Sequence, residues 1–337
     1  MKVGDLDLDT TVMVIAEIGN NHEGDLGVAR EMIVRAAEAG ADAVKFQTFI
    51  PELYVSSSDP VRLERLRGFR LAIQQFEELA RQAADENVVF LSTPFDLESA
   101  VSLNRFQSVF KIASGDNTFG PLIDTVAGFG KPMIVSTGIA DLPLIERLCE
   151  RIRGVWVSND VSPGLALLHC VAGYPVPPEQ ANLGAILTLK TRFPEATIGY
   201  SDHTLGIDAA IYAVAAGARI VEKHFTLDKE RASFRDHRLA ADPADFRRLV
   251  NAIRQIESML GAGNKDIQPC EEAVRTAARR SIGAVTELKA GTILTKSHLT
   301  WVRPGLGMPP GEEGKVIGRT LVRSLKQGDL IALTDVT

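Results

Sequence analysis

The sequence is poor in cysteine, in aromatic residues and in long apolar runs, and each shortage excludes something. Its three cysteines, Cys149, Cys170 and Cys270, are widely and irregularly spaced. That is neither a disulfide framework nor a zinc pattern, and it fits the reducing cytoplasm. Aromatics make up 6% of the chain while Gly and Ala are plentiful, a profile that suits layered α/β packing better than an all-β sandwich. No apolar stretch approaches the ~20 residues needed to span a bilayer. The opening MKVGDLDLDTTVMVIAEIGNN lacks the basic start and long apolar core of a signal peptide. Positive charge is also in short supply: 37 Lys and Arg against 43 Asp and Glu give a formal net charge of −6. A mildly acidic surface argues against broad nucleic-acid or membrane binding, so an anionic ligand requires a local basic pocket.

What is present is a regular alternation. The 337 residues, 45% hydrophobic, suit one large domain plus a small one. Short β-branched apolar runs at 12–18, 43–46, 88–92, 109–112, 133–136, 165–169, 197–200 and 220–222 predict eight strands. Amphipathic stretches at 25–39, 73–87, 97–104, 121–130, 142–153, 183–191 and 207–217 predict the helices between them. A last helix spans 243–260, with Asp242 as N-cap and Pro243 at the first helical position. Strands buried on both faces, each followed by a helix, indicate a parallel sheet. Eight such units within residues 1–263 match a (β/α)8 TIM barrel. The alternative is an open doubly wound sheet, but that would gather its polar residues at one switch point rather than after most strands.

The pattern changes near Gly261. Residues 264–280 read as a polar linker with a short helix, and 281–337 as a small, mostly β module. Two similar phrases, LKAGTIL and LKQGDLI, each place Gly in a turn before an apolar run. A module that small is marginal alone and is expected to pack on something.

In a barrel the strand ends and the loops after them face the active site. Those positions hold Glu17; Lys45 and Gln47; Ser92 and Thr93; Lys111 and Ser114; Ser136 and Thr137; His169; Ser201, Asp202 and His203; Glu222 and His224. Lysines and hydroxyls together suit a small, strongly anionic ligand. Any one Ser or Thr serves equally well as a turn former or cap. A lysine at a buried strand end does not, because a buried unpaired ammonium is costly. His203 and His224 close two successive strands, where imidazoles can converge on a divalent metal with positions left open for water and substrate. Taken singly, each histidine reads as a packing residue. Glu17, Asp202, Glu222 and Asp236 are the carboxylates nearby, and spacing leaves open which ligates and which moves protons. Asp236 and His237, in the loop after the last strand, read equally as a solvated charged loop.

The chain resembles the sialic acid (N-acetylneuraminate-type) synthase family over nearly its whole length. The matching phrases are AEIGNNHEGD, GADAVKFQT, FLSTPFD, FKIASGD, GKPMIVSTG, LLHC with YPVPP, IGYSDHTLG, ARIVEKHFTLD and VRPG, in the family's order. The resemblance implies a TIM barrel followed by an antifreeze-like (SAF) domain, in a domain-swapped homodimer. It implies a cytoplasmic C–C bond-forming transferase of carbohydrate biosynthesis, supplying lipopolysaccharide or capsule. C3 of phosphoenolpyruvate would attack the aldehyde of an N-acetylmannosamine-type sugar, water would add at C2, and phosphate would leave with C–O cleavage.

The resemblance also implies roles. Lys45, Thr93, Lys111, Ser114, Ser136 and Ser201 match phosphoenolpyruvate-binding positions, and Lys111 is also expected to act in catalysis. Glu17, Gln47, Tyr174 and Asp236 match sugar positions, with Glu17 and Glu222 as candidates for proton transfer. Arg303 matches an arginine that reaches the partner's site. His203 and His224 would hold the metal, Mn2+ first with Mg2+ or Co2+ as alternatives, which would polarise the aldehyde. Departures lie around the sugar: Asp116 where the family often has Glu, SFRD where it often reads PGPD, Ala172 and Gly173 where side chains are often larger, and a shorter loop after the second strand. Bacillosamine-derived acceptors, giving legionaminic or pseudaminic acid, are therefore the alternative within the family. Rivals outside it are a barrel enzyme making seven- or eight-carbon acid sugars and a non-catalytic ice- or carbohydrate-binding protein.

Overall fold

The computed structural model describes residues 1–231 and 235–337, which divide into two compact units, Met1–Gly261 and Ala262–Thr337. Eight parallel strands form the first unit's sheet. They are β1 (Met13–Gly19), β2 (Ala43–Thr48), β3 (Val89–Pro94), β4 (Phe110–Ile112), β5 (Met133–Ser136), β6 (Leu165–Cys170), β7 (Thr197–Asp202) and β8 (Ile220–His224). Their order is β3-β2-β1-β8-β7-β6-β5-β4, with β3 and β4 neighbours across the seam. This is the TIM-type barrel, with every expected strand present and most running a residue or two longer. At the seam β4 is only three residues long, and the Gln107 side chain substitutes for a ladder bond by accepting from Ser92 N at 2.9 Å.

Strand alternation sorts the core into two layers. Residues of one parity, including Val14, Ala16, Val44, Phe46, Ile112, Val135, Leu167 and Val221, face the helices and form the large outer core. The other parity, including Met13, Ile15, Ala43, Leu91, Ile134, Ala166, Leu168 and Ile220, fills the barrel's lower interior. Val3 and Leu8 join that interior cluster from a short hairpin, Lys2–Val3 paired with Leu6–Asp7, which the sequence reading did not anticipate. Close packing is strict in β7: a Cβ on Gly199 would stand 2.5 Å from Leu168 Cδ2 and 2.6 Å from Ile220 O.

The helices have legible causes. Asp25, Asp96, Asp141 and Asp242 each cap a helix by accepting a backbone N–H of its first turn, Asp242 at 2.8 Å from Asp245 N. Two helices after β2, Pro51–Tyr54 and Pro60–Phe69, also went unread. The segment predicted as a loop around Asp236 contains a short helix, Arg235–Leu239.

The second unit carries the helix Glu272–Ala278 and an antiparallel pair, Ser281–Ala284 with Leu299–Val302. The short helix expected within residues 264–280 is present, and it belongs to this unit. Leu288 and Leu325, which open the two similar phrases, exchange backbone hydrogen bonds at 2.9 and 2.8 Å. Gly291 and Gly328 sit at φ of +88° and +84°, where only glycine is unstrained. Ile282, Leu294, Leu299, Val316, Leu321 and Ile331 fill the core between them.

Candidate active site

Above the apolar plug, the inward parity of the strands becomes polar. Glu17 of β1, Lys45 and Gln47 of β2, Thr93 of β3, Lys111 of β4, Ser136 of β5, Cys170 of β6, Ser201 of β7, and Glu222 and His224 of β8 line one cavity of about 1030 Å³. Ser114, Tyr174, His203 and Asp236 join them from the loops and from a short helix. The barrel residues matched to phosphoenolpyruvate, sugar and metal positions thus share one cavity. Arg303 belongs to the second unit, where its Nε donates to Ala278 O at 2.9 Å.

The floor of the cavity is a buried network of four charges. Lys45 Nζ lies 2.7 Å from Glu17 Oε2 and 3.7 Å from Glu222 Oε1. Lys111 Nζ lies 3.6 Å from Glu222 Oε2 and donates to Ser136 Oγ at 2.7 Å. Ser201 Oγ donates to Glu222 Oε1 at 3.0 Å, Lys45 Nζ to Thr93 Oγ1 at 3.3 Å, and Gln47 Nε2 to Glu17 Oε1 at 3.3 Å. Buried charges persist only when paired in this way.

The two carboxylates are pushed apart. Burial raises Glu17 to about 7 against the pull of Lys45. Burial also acts on Glu222, but Lys111, Lys45 and the Ser201 hydroxyl outweigh it and hold that carboxyl below the usual range. Burial lowers Lys111, whereas Glu17 and Glu222 overcome burial at Lys45 and raise it. A carboxyl poised near neutrality beside a firmly ionised one separates a proton carrier from a fixed charge.

The Ser114 hydroxyl accepts from Gly138 N at 3.1 Å, and Asn117 Nδ2 donates to Gly138 O at 2.9 Å. A Cβ at Gly138 would stand 2.6 Å from Ser114 Oγ, so these two loops close on each other only with glycine there.

His203 and His224 lie with ring centroids 5.4 Å apart, and Tyr174 packs on His203 at 4.2 Å. His203 Nδ1–H donates to Val171 O at 2.9 Å, which leaves Nε2 with its lone pair. Burial lowers the pKa of His203, favouring the neutral imidazole that ligates metals. The pair therefore fits a divalent cation through two nitrogen donors. No cluster of three or more His, Cys, Asp or Glu groups suited to a metal occurs among the described residues.

Parity corrects four strand-end assignments. Thr48 and Ser92 bond to each other at 2.6 Å, and Thr137 Oγ1 donates to Leu168 O at 3.0 Å, away from the cavity. His169 bonds Ala181 O at 2.8 Å and stacks on Tyr200. Asp202, a candidate ligand or acid by spacing, forms a fully buried pair with Lys223 at 2.9 Å on the helix side. Asp236 is buried within the short helix rather than solvated, and His237 beside it bonds Thr226 Oγ1 at 2.7 Å. The rest of the phrase SFRD before Asp236 includes residues 233 and 234, which lie outside the described residues. Sequence reading missed Asn20, Tyr54, Arg62, Arg65, Phe69, Phe95 and Cys170 in the cavity wall. Cys170 has the inward parity of β6 and could have been found by counting.

A parallel eight-stranded barrel with lysines, carboxylates, hydroxyls and imidazoles at its strand C-termini defines the class: a TIM-type barrel enzyme with its polar site at the strand ends. More particularly, the chain belongs to the NeuB family, which it matches over residues 32–265, and residues 279–337 match the SAF domain. It is 40% identical over 100% of its length to an uncharacterized protein of Methanocaldococcus jannaschii, covering 98% of that protein. It is 36% identical over 95% of its length to the N,N'-diacetyllegionaminic acid synthase of Campylobacter jejuni, covering 98% of that enzyme. Among solved structures, the N-acetylneuraminic acid synthetase of Leptospira borgpetersenii matches with a TM-score of 0.76 and 34% identity, over 81% of this chain and 94% of that one.

Proposed function

We propose that the protein condenses phosphoenolpyruvate with an N-acetylated amino-sugar aldehyde and water, giving a nonulosonic acid and phosphate. The observation that carries this reading is the four-charge floor. Lys45 and Lys111 provide cations for phosphate and carboxylate, with Thr93, Ser114, Ser136 and Ser201 as short neutral donors around them. The C3 carbon attacks the aldehyde carbon, water adds at C2, and the C2–O bond breaks as phosphate departs. Glu17, poised near neutrality on the cavity floor, exchanges the proton at the sugar oxygen. Glu222 stays ionised and balances both lysines. Gln47, Tyr174 and Asp236 contact the sugar.

His203 and His224 hold a divalent cation, Mn2+ first. Bound there, it supplies Lewis acidity toward the aldehyde oxygen. In the dimer we propose, Arg303 of one subunit completes the sugar site of the other.

Legionaminic-type acceptors are the second reading, supported by the identity to the Campylobacter jejuni enzyme. His224→Ala tests the metal assignment. We expect weaker Mn2+ binding by calorimetry and at least an approximately hundredfold loss of phosphate release, since a Lewis acid contributes several kcal/mol. Near-normal Mn2+ binding and turnover would remove His224 from the ligand set.

A further inference from the structure

Two charged residues stand on the helix side of β7 and β8. The other residues of that parity, Ile198, Tyr200 and Val221, belong to the large outer core. Asp202 and Lys223 are register partners on the two strands, and both side chains have 0% exposure. An ion pair sealed off in this way is poor evidence of stability, because desolvation offsets its attraction and apolar residues of similar volume often serve as well. What the pair adds over an apolar contact is direction.

That direction is spent on one short segment. Lys223 Nζ donates to Asp202 Oδ2 at 2.9 Å and to Thr204 O at 2.6 Å. Asp202 Oδ1 accepts from Thr204 N at 2.8 Å and from Tyr200 OH at 3.2 Å. Thr204 is thus gripped at both its N–H and its C=O. Between Asp202 and Thr204 lies His203, and directly after Lys223 comes His224. The register of β7 with β8 ends at the Asp202–Lys223 pair, so His203 stands beyond the ladder. Alternation turns both imidazoles into the cavity while the clamp faces the helices, and the two rings stand with centroids 5.4 Å apart.

We infer that Asp202 and Lys223 are positioning residues for the metal site: their buried pair ties the segment after β7 to the end of β8 and so fixes His203 against His224. The inference rests on the reading of the two histidines as ligands for the word metal; the fixing of their spacing rests on the hydrogen bonds. Two nitrogens that must meet one ion tolerate little error in placement. Groups that orient such ligands commonly carry about tenfold or more of the metal affinity.

The test titrates the full-length, metal-free protein with Mn2+ alone by calorimetry. The double variant Asp202→Val/Lys223→Met removes both charges together and leaves neither unpaired. Asp42→Asn is the control. It weakens a pair just before β2, at the opposite end of the strands, where Arg254 Nη2 donates to both Asp42 oxygens at 2.7 Å. The double variant is expected to bind Mn2+ at least about tenfold more weakly than wild type, and the control to bind as wild type does whatever its urea midpoint. Unchanged affinity in the double variant, or an equal loss in the control, would overturn the inference. Nitrogen-15 NMR of the imidazoles in the metal-free proteins separates it from the ligand assignment. His203 of wild type donates from Nδ1 to Val171 O at 2.9 Å, and the double variant is expected to show mixed tautomers there. That change, with no Mn2+ bound even by wild type, would reject the ligand assignment and keep the positioning role. The same tautomer in both proteins would reject the positioning role. Where the double variant does not fold, Asp202→Asn, which keeps the side chain's shape, is judged by the same outcomes.

Discussion

At the scale of single residues, environment decides what each charged group does. Glu17 and Glu222 are both buried carboxylates, yet one is raised to about 7 and the other is held low, because Glu222 meets two ammonium groups and a hydroxyl. His22 shows the same logic without a catalytic role. It is fully buried, its Nδ1 accepts from Gly24 N at 3.0 Å, and burial lowers its pKa to about 4. The unfolded chain binds a proton there near the ordinary histidine value of 6.5, so between pH 6.5 and 4 the unfolded state holds more protons than the folded one. Stability contributed by neutral His22 is therefore complete above that window and lost as pH falls through it. At about 1.4 kcal/mol per unit, the loss approaches ~3 kcal/mol. Urea titrations of wild type and His22→Asn at steps across that window should show the steeper fall in wild type. Parallel curves would mean that His22 does not carry it.

At the scale of elements, alternation within the strands explains most of what the sequence revealed and most of what it hid. The eight strands were visible as β-branched runs, and Lys45, Lys111, Glu222 and His224 were visible because strand ends face the site. Ser92, Thr137, His169 and Asp202 stood at the same ends but one residue out of phase, so they point to the helices. Counting from the apolar plug, as in Met13–Ile15–Glu17 or Ile220–Glu222–His224, sorts them. The arginine-bearing helix after β2 escaped because it is charged on most sides and its two buried leucines make no extended apolar stripe. The hairpin before β1 escaped because its strands are two residues each. The cap at Asp242 was legible from Asp-Pro alone, and its carboxylate accepts from Asp245 N at 2.8 Å. Asp242→Ala should lower stability by about 1 kcal/mol, the usual worth of an N-cap. An unchanged chemical-denaturation midpoint would show that the helix Pro243–Leu260 does not depend on it.

At the scale of the whole molecule, a large barrel and a small β unit share one chain, and the proposed dimer gives the small unit its purpose. If Arg303 acts across subunits, inactive variants should complement. Co-expressed Arg303→Ala and His224→Ala chains form mixed dimers in which one of two sites has both residues intact. Random pairing then restores about a quarter of wild-type sites. Activity no greater than the sum of the separate variants would place Arg303 outside the partner's site. The central claim, however, is the reaction itself. The most direct test is mass spectrometry of products from phosphoenolpyruvate labelled with 18O in the C2–O–P bridge, mixed with N-acetylmannosamine, its 6-phosphate, arabinose 5-phosphate and erythrose 4-phosphate in separate reactions. The account predicts a nonulosonic acid from an N-acetylated sugar, with the label leaving in phosphate and no product once a chelator is added. Product from arabinose 5-phosphate or erythrose 4-phosphate alone, or label retained in the acid, would contradict it.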